Sequence, residues 1–245
     1  MGKNKNKIEI LFEDEAIVVV NKPAGVLSIP DRFKPELANL KNILLQEREV
    51  VIPVHRLDKF TSGIIIFAKS PEAHRDLSNQ WQGKKVDKTY LAFVQGVPNL
   101  EFGTINKPIA SDPSRPGKMK INRNGKAAVS HYKVLQTFQD IALVEVKIET
   151  GRTHQIRVHL RSIGHPLLVD KDYAKKEAWF LSSFKGKKFS RGKELEERPL
   201  LSRLSLHAQT LVFKNPTTQE QQILSAEFPK DLRALSKQLE KWNKN

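Results

Sequence analysis

PVHRLDKFTSG, residues 53–63, places a single carboxylate, Asp58, between Arg56 and Lys59. Three small residues that favour turns, Thr-Ser-Gly at 61–63, follow it. An aspartate in this position has two interpretations. It can bond to backbone amides two or three residues further on and shape a turn, or it can act as a nucleophile or base that a neighbouring cation keeps charged. These eleven residues alone leave both interpretations open.

The charge of the whole chain narrows the class of partner. Its 245 residues include 42 Lys and Arg against 27 Asp and Glu, which gives a net charge of +15. A surface this basic predicts a polyanionic partner, either a nucleic acid or an anionic membrane surface. No apolar run approaches the roughly 20 residues that span a bilayer, and the start MGKNKNKIEI has no signal-peptide core. We therefore expect a cytoplasmic protein that binds nucleic acid.

Several kinds of chemistry are disfavoured by what the sequence lacks. Cysteine is absent, which removes disulfides, thiolate nucleophiles and cysteine-bearing zinc sites. There is no GxxxxGK or GxGxxG loop for nucleotide phosphates, and His154 and His159 lack the acid of a metalloprotease helix. No second acid stands in a setting comparable to that of Asp58, which disfavours a glycosidase dyad.

Hydrophobic periodicity predicts an α+β chain with a mixed, largely antiparallel sheet and flanking helices. We expect residues 1–7 to be a disordered basic tail and 8–245 to be one domain. Two basic stretches, 111–127 and 171–199, have little to bury; the first is predicted to be a surface loop or hairpin. The predicted strands are 8–12, 16–20, 64–69, 88–95, 142–148 and 205–213, and the predicted helices are 36–47, 71–82, 153–164 and 230–242.

Two further stretches carry residues suited to chemistry. KTYLAFVQG, residues 88–96, puts Tyr90 early in a strand, where an ordinary half-buried tyrosine is the alternative. ETGRTHQIRVHL, residues 149–160, holds two arginines and two histidines within eight residues, for which a solvated basic helix face is the alternative.

Together these stretches resemble the RluA-type RNA pseudouridine synthases, whose motif HRLDxxTSG is matched at every fixed position by residues 55–63. The resemblance extends over nearly the whole chain. It is carried further by DEAIVVVNKPAGVLSIP (14–30), KTYLAFVQG (88–96), GRTHQIRVHLRSIGHPLLVD (151–170) and SLHAQTLVF (205–213). It implies the pseudouridine synthase fold with a central RNA-binding cleft, no metal or organic cofactor, and ribosomal or transfer RNA as the partner.

The resemblance also implies roles for three catalytic residues. Asp58 would attack the ribose C1′, or would assist departure of the uracil through a glycal; the sequence leaves both routes open. Tyr90 would stack on the uracil and help remove its C5 proton. Arg157 would pair with Asp58 and keep it charged and aimed, which a planar guanidinium does better than an ammonium.

Other residues of the motifs are expected to bind the substrate or to hold the site together. Arg56 would enter the space that the flipped target base vacates. Residues 61–63 would hold the loop, and His55 is expected to be structural. The predicted substrate-binding set is His55, Arg56, Thr61, Ser62, Gly63, Arg152, His154 and Leu206.

Two departures from the family pattern qualify this expectation. An S4-type RNA-binding domain is expected to be absent, because about seven residues precede the first predicted strand. VDKDYA, residues 169–174, departs from the GD…YG pattern of the family, so no role is carried over to Asp172 or Tyr173.

We expect a monomer. The competing functions are a catalytically inactive RNA-binding or ribosome-assembly protein of the same fold, and a hydrolase that would release free uracil.

Overall fold

The computed structural model describes residues 8–185 and 196–242. These residues form an α+β fold in which the paired strands run mostly antiparallel, as the sequence predicts. The tail at 1–7 and the middle of the basic segment 171–199 lie outside the described residues. The strands are β1 Glu9–Glu13, β2 Ile17–Lys22, β3 Ile52–Pro53, β4 Ser62–Ala68, β5 Asp87–Gln95, β6 Phe102–Asn106, β7 Ile109–Ser111, β8 Met119–Ile121, β9 Val129–Thr137, β10 Ile141–Ile148, β11 Leu206–Lys214 and β12 Gln221–Ser225. The helices are α1 Leu40–Leu44, α2 Pro71–Gln82, α3 Gln155–Ser162, α4 Ser182–Lys185 and α5 Lys230–Trp242.

The chain divides into two compact units, which are described separately. One unit comprises the described residues of Met1–Lys88 with Ala208–Glu227, and the other comprises those of Thr89–His207 with Phe228–Asn245. The expectation that 8–245 is a single domain stays a prediction.

The first unit is built on β2 and β4. These strands pair antiparallel, from Ile17 opposite Ala68 to Lys22 opposite Gly63, and every residue of β4 is buried. β1 continues the sheet beside β2, β11 lies beside β4, and β12 pairs with β11. A run of β-branched residues buried on both faces is typical of a central strand. β4 therefore anchors the C-terminal end of the loop that precedes it.

The two helices of this unit differ in how well the sequence predicts them. α2 begins as expected, with the Ser70 hydroxyl accepting a hydrogen bond from Ala73 N and Pro71 in the first turn. The predicted helix 36–47 is reduced to Leu40–Leu44. Asn39 itself is extended and forms a bridge with Leu27, and its side chain caps the helix at Asn42 N.

The second unit has a sheet in the order β5-β10-β9-β6, and its registered pairs are antiparallel. The predicted helix 230–242 is α5, and its apolar face belongs to the core of this unit through Leu232, Leu235 and Leu239. The other fully buried members of this core include Phe93, Phe138, Ile141 and Leu168.

The basic stretch 111–127 is a hairpin, one of the two forms predicted for it. β7 and β8 pair antiparallel, with Ser111 opposite Met119, and a further bridge joins Ile109 to Lys126. We call residues 109–126 the basic hairpin.

Across the described part of the chain, none of the helices has the length and apolar character needed to cross a membrane.

Candidate active site

The loop that carries Asp58 lies between β3 and β4. The turn is closed by the main chain, since Thr61 N donates to the Asp58 carbonyl at 3.1 Å. Asp58 is half-buried, whereas its neighbours Arg56 and Lys59 are exposed. The loop therefore presents one carboxylate between two solvated cations.

Two buried residues from the KPAG stretch and its continuation fix this loop. The Lys22 ammonium, with no exposed surface, donates to the backbone carbonyls of Pro23, Val26 and Lys59 at 3.1, 2.8 and 3.0 Å. The Ser28 hydroxyl accepts from Leu57 N at 3.0 Å and donates to Leu57 O at 3.1 Å. A buried polar group is stable only when it is hydrogen-bonded, so these contacts hold the backbone on both sides of Asp58.

Gly63 is a steric requirement of the same loop. Its φ is +116°, and a Cβ at this position would lie 2.1 Å from the carbonyl oxygen of Ala208 in β11. No L side chain fits that approach. The glycine of the motif thus lets β11 lie against the first residues of β4.

His55 contacts β4 and α2 through its ring. Its Nε2 accepts a hydrogen bond from Ile66 N at 3.2 Å, and its ring stacks on Trp81 at 5.0 Å. Burial of the imidazole, with a smaller contribution from the charge of Lys88, lowers the pKa of His55 to about 3. The ring is therefore neutral at physiological pH, with its proton on Nδ1.

Tyr90 lies in β5 of the second unit, opposite Val146 of β10, and is 9% exposed. Lys88, which precedes it in KTY, is buried, and burial lowers the pKa of its ammonium.

Arg157 is buried rather than part of a solvated basic face, because two carboxylates of the second unit hold its guanidinium. Asp170 binds it in a bidentate manner, at 2.7 Å from Nε and 2.9 Å from Nη2, and Asp172 accepts from Nη2 at 2.8 Å. The Tyr173 ring faces the guanidinium at 4.8 Å. We call Arg157, Asp170, Asp172 and Tyr173 the arginine clamp. Arg161, one turn later, is exposed.

Two other polar residues of α3, Gln155 and His159, connect the helix to β9. The Gln155 amide donates to Val129 O at 2.9 Å and to the Ser130 hydroxyl at 3.0 Å. His159 binds Ser130 Oγ and Lys107 O, both at 2.9 Å, and burial lowers the pKa of its imidazole. Two polar residues of QIRVH thus serve to position the helix that carries Arg157.

His154 and Arg152 lie at the start of α3. His154 has a left-handed backbone with φ +54°, and its Nδ1 is 2.8 Å from the Tyr173 hydroxyl. Arg152 is exposed and donates from Nε to Ala127 O at 3.0 Å. It lines a surface pocket of about 530 Å³ together with Thr153 and Lys126, over a floor that includes Ile109 and Met119.

The predicted site residues thus fall into two groups. The first unit holds His55, Arg56, Asp58, Thr61, Ser62 and Gly63 in one loop and the start of one strand. The second holds Tyr90, Arg152, His154, Arg157 and Leu206, of which Leu206 is buried at the start of β11. Sequence reasoning did not single out Lys22, Ser28 or Asp170, and it assigned no role to Asp172 and Tyr173. Among the residues described, no three His, Asp or Glu side chains are grouped so that they could hold a metal ion.

The antiparallel α+β fold, the aspartate on a loop and the buried arginine on a short helix are the features expected of an RNA pseudouridine synthase. The profile of the RNA pseudouridylate synthase family matches residues 16–162, and the chain belongs to this family. The predicted resemblance is confirmed, and the protein is a pseudouridine synthase, an isomerase.

Relatives and solved structures agree with this assignment. The chain is 36% identical to the dual-specificity RNA pseudouridine synthase RluA of Salmonella typhimurium, over 84% of this chain and 87% of that protein. It is 35% identical to the ribosomal large subunit pseudouridine synthase D of Zymomonas mobilis, over 97% of this chain and 74% of that protein. The structure of human RNA pseudouridylate synthase domain containing 4 superposes with a TM-score of 0.74 at 26% identity, covering 95% of this chain and 93% of the human one.

Proposed function

We propose that the protein isomerises a uridine within ribosomal or transfer RNA, with Asp58 as the nucleophile and Tyr90 and Arg157 as the other catalytic residues. In this reaction the bond from C1′ to N1 breaks and the bond from C1′ to C5 forms. N1 gains a proton, and the C5 proton leaves to a base and then to water. One carboxylate is enough, because the leaving uracil is also the group that returns.

The construction of the Asp58 loop is the observation that carries this proposal. Lys22 and Ser28 are buried and hold the backbone on either side of the aspartate, while the turn itself closes through the Asp58 carbonyl. A carboxylate that only shaped a turn would need no such support from residues about 30 or more positions away. Catalytic groups are held rigidly in this way, because loss of position costs rate.

The charge distribution supports RNA as the substrate. Arg56 and Lys59 are exposed beside Asp58, and Arg115, Lys118 and Lys120 of the basic hairpin keep between 32 and 42% of their side chains exposed. Exposed cations of this kind bind phosphates. Arg56 is proposed to fill the gap that the extruded uridine leaves in the RNA stack. The Zymomonas relative is named for the large ribosomal subunit, which makes ribosomal RNA the first substrate to test.

Release of tritium from RNA labelled with [5-³H]uridine tests the reaction, since the C5 hydrogen is lost when the new bond forms. RNA from cells that lack the protein is the substrate, and Asp58→Asn is the variant. We expect wild type to release tritium and Asp58→Asn to release none above background, while RNA binding by the variant stays within about 2-fold of wild type.

Glu15→Gln is the matched control, because it removes one negative charge from an exposed acid of the same unit. It is expected to behave as wild type. Tritium release by Asp58→Asn at the wild-type rate would refute the assignment. A chemical map of pseudouridine in cells without the protein gives an independent result: no lost site would favour the inactive RNA-binding protein, and free uracil in the assay would indicate the hydrolase.

A further inference from the structure

The arginine clamp is built on one loop. Asp170 is 1% exposed, and its Oδ1 accepts from Asp172 N at 2.9 Å and from Tyr173 N at 3.1 Å as well as from Arg157. The same carboxylate therefore shapes residues 170–173 and fixes the guanidinium. Its contacts place the Asp172 and Tyr173 side chains against Arg157, although the sequence of this loop departs from the family pattern.

The clamp is joined to the basic hairpin by two polar contacts. Asp172 accepts from the Lys118 ammonium as well as from Arg157. The Tyr173 hydroxyl accepts from Met119 N at 2.7 Å. The side chain of Tyr173 is also packed with Ile109, Val158 and Met119 in one small apolar cluster. The hairpin is thus attached to the arginine by adjacent residues of each segment, 118–119 on one side and 172–173 on the other.

Lys118 is one of the two cations that pair with Asp172 at this junction. Arg157 and Lys118 face the two carboxylates Asp170 and Asp172. Burial raises the pKa of the Asp172 carboxyl, but the hydrogen bonds from Lys118 and Arg157 outweigh this, and its pKa lies below the ordinary value. Asp172 is therefore a carboxylate at neutral pH. Without Lys118, Asp172 would lose one of its two cations, and the position in which it holds Arg157 would change.

The position of Lys118 also makes it accessible to RNA. Its side chain is 32% exposed, comparable with the 41% of Lys120 two residues later. Lys120 pairs instead with Asp112 of the hairpin, at 3.5 Å. A phosphate that binds the hairpin therefore meets two similar cations, of which one is bonded to the Asp172 that holds Arg157.

We propose that Asp172 and Tyr173 are positioning residues which couple the basic hairpin to Arg157, so that RNA bound at the hairpin sets the position of the catalytic arginine. This rests on the proposed role of Arg157 in the reaction. Lys118 then contributes to the rate as well as to RNA affinity, whereas Lys120 contributes to affinity alone.

The test compares two lysine variants that remove the same charge from the same hairpin, Lys118→Met and Lys120→Met. Tritium release is measured in single turnovers with the full chain in excess over [5-³H]uridine-labelled RNA from cells lacking the protein. The maximum rate and the protein concentration at half-maximum are obtained separately. We expect both variants to raise the half-maximal concentration to a similar degree, and Lys118→Met alone to lower the maximum rate, by about 10-fold.

Two further variants show whether the effect passes through Asp172. Asp172→Asn is expected to lower the maximum rate about as much, and the double variant Lys118→Met/Asp172→Asn no more than about 2-fold further, because both remove one interaction. Lys118→Arg, which keeps the ion pair, is expected to restore the rate. Equal maximum rates for Lys118→Met and Lys120→Met would overturn the coupling, and so would a double variant whose loss is the product of the single losses.

Wild type and Asp58→Asn in the same assay separate this inference from the proposed function. If wild type releases no tritium, or Asp58→Asn releases it normally, the proposed function fails. If both behave as expected and the two lysine variants do not differ, only the coupling fails. Thermal unfolding midpoints of Lys118→Met and Lys120→Met, which change partly exposed side chains, are expected to agree within a few degrees.

Discussion

Asp170→Asn removes a negative charge from the arginine clamp and leaves the shape of its loop unchanged. Asparagine has the size of aspartate, and its Oδ1 can still accept from Asp172 N and Tyr173 N, so the loop keeps its turn. The amide nitrogen would take the place of Oδ2, which accepts from Arg157 Nε at 2.7 Å. Donor then faces donor, and a buried guanidinium loses its principal counter-charge.

The expected loss of stability follows from the burial of this pair. The Arg157 and Asp170 side chains are 5% and 0% exposed, and removing one partner of such a pair costs about 3–5 kcal/mol. Asp172 still binds Arg157 at 2.8 Å with 21% of its own side chain exposed, which favours the lower end, about 3 kcal/mol. For a chain of this size that lowers the melting temperature by about 6–12 °C.

Urea unfolding, followed by circular dichroism and by tryptophan fluorescence, measures the difference. Coincident transitions by the two probes are needed before a single free energy of unfolding is quoted. Asp172→Asn is the matched comparison, since it makes the same change in the same loop at a partly exposed carboxylate, for which we expect about 1 kcal/mol. A loss below about 1 kcal/mol for Asp170→Asn, or equal losses for both variants, would refute the assignment of Asp170 as the anchor of Arg157.

Three other predictions concern the loop at Gly63, the ionisation of His55 and the basic surface. Gly63→Ala should lower the free energy of unfolding by at least about 3 kcal/mol in the same urea titration, because its Cβ would lie 2.1 Å from Ala208 O. Gly25→Ala, with φ +91° and open space around it, should lower it by only about 1 kcal/mol through backbone strain. Since the pKa of His55 is lowered from 6.5 to about 3 in the folded state, the unfolded chain binds the extra proton between these values, and stability is lost as pH falls below about 6.5, by up to about 1.4 kcal/mol per pH unit. Unfolding at pH 7.5 and 5.5 should show a smaller difference for His55→Gln than for wild type, and an unchanged difference would contradict the burial of the imidazole. RNA affinity should fall steeply with salt, and a plot of log affinity against log salt with a slope near zero would argue against phosphate binding by the basic hairpin.

Local elements of the fold were predictable where residues three or four positions apart decide the structure. The start of α2 is an example, since Ser70, Pro71 and Ala73 interact within one helical turn. The helix 36–47 was overestimated for a related reason. Its leucines have helical spacing, but Asn39 inside the segment forms a bridge with Leu27, which lies outside the predicted segment.

In the candidate site, too, residues in short motifs were predictable and contacts between distant residues were not. Asp58, Tyr90 and Arg157 could be proposed from their motifs, because short runs such as HRLDKFTSG hold the fixed residues close together in the chain. Lys22 and Ser28 could not be assigned to the Asp58 loop, since the contacts that define their role join residues 37 and 29 positions apart. No periodicity or turn preference reports a contact at that range.

The sequence by itself determined the class of protein, half of the described strands, four of the five described helices and the residues of its motifs. Local backbone preference and motif spacing are properties of neighbouring residues. Tertiary structure alone decided what surrounds those residues. Packing of α3 against the loop at 170–173 made Arg157 a buried cation held by two carboxylates instead of one member of a solvated face. The strands of the basic hairpin pair antiparallel, and Lys118 reaches Asp172, which lies 54 positions away. The loop at 170–173 therefore supports Arg157 although its sequence departs from the family pattern.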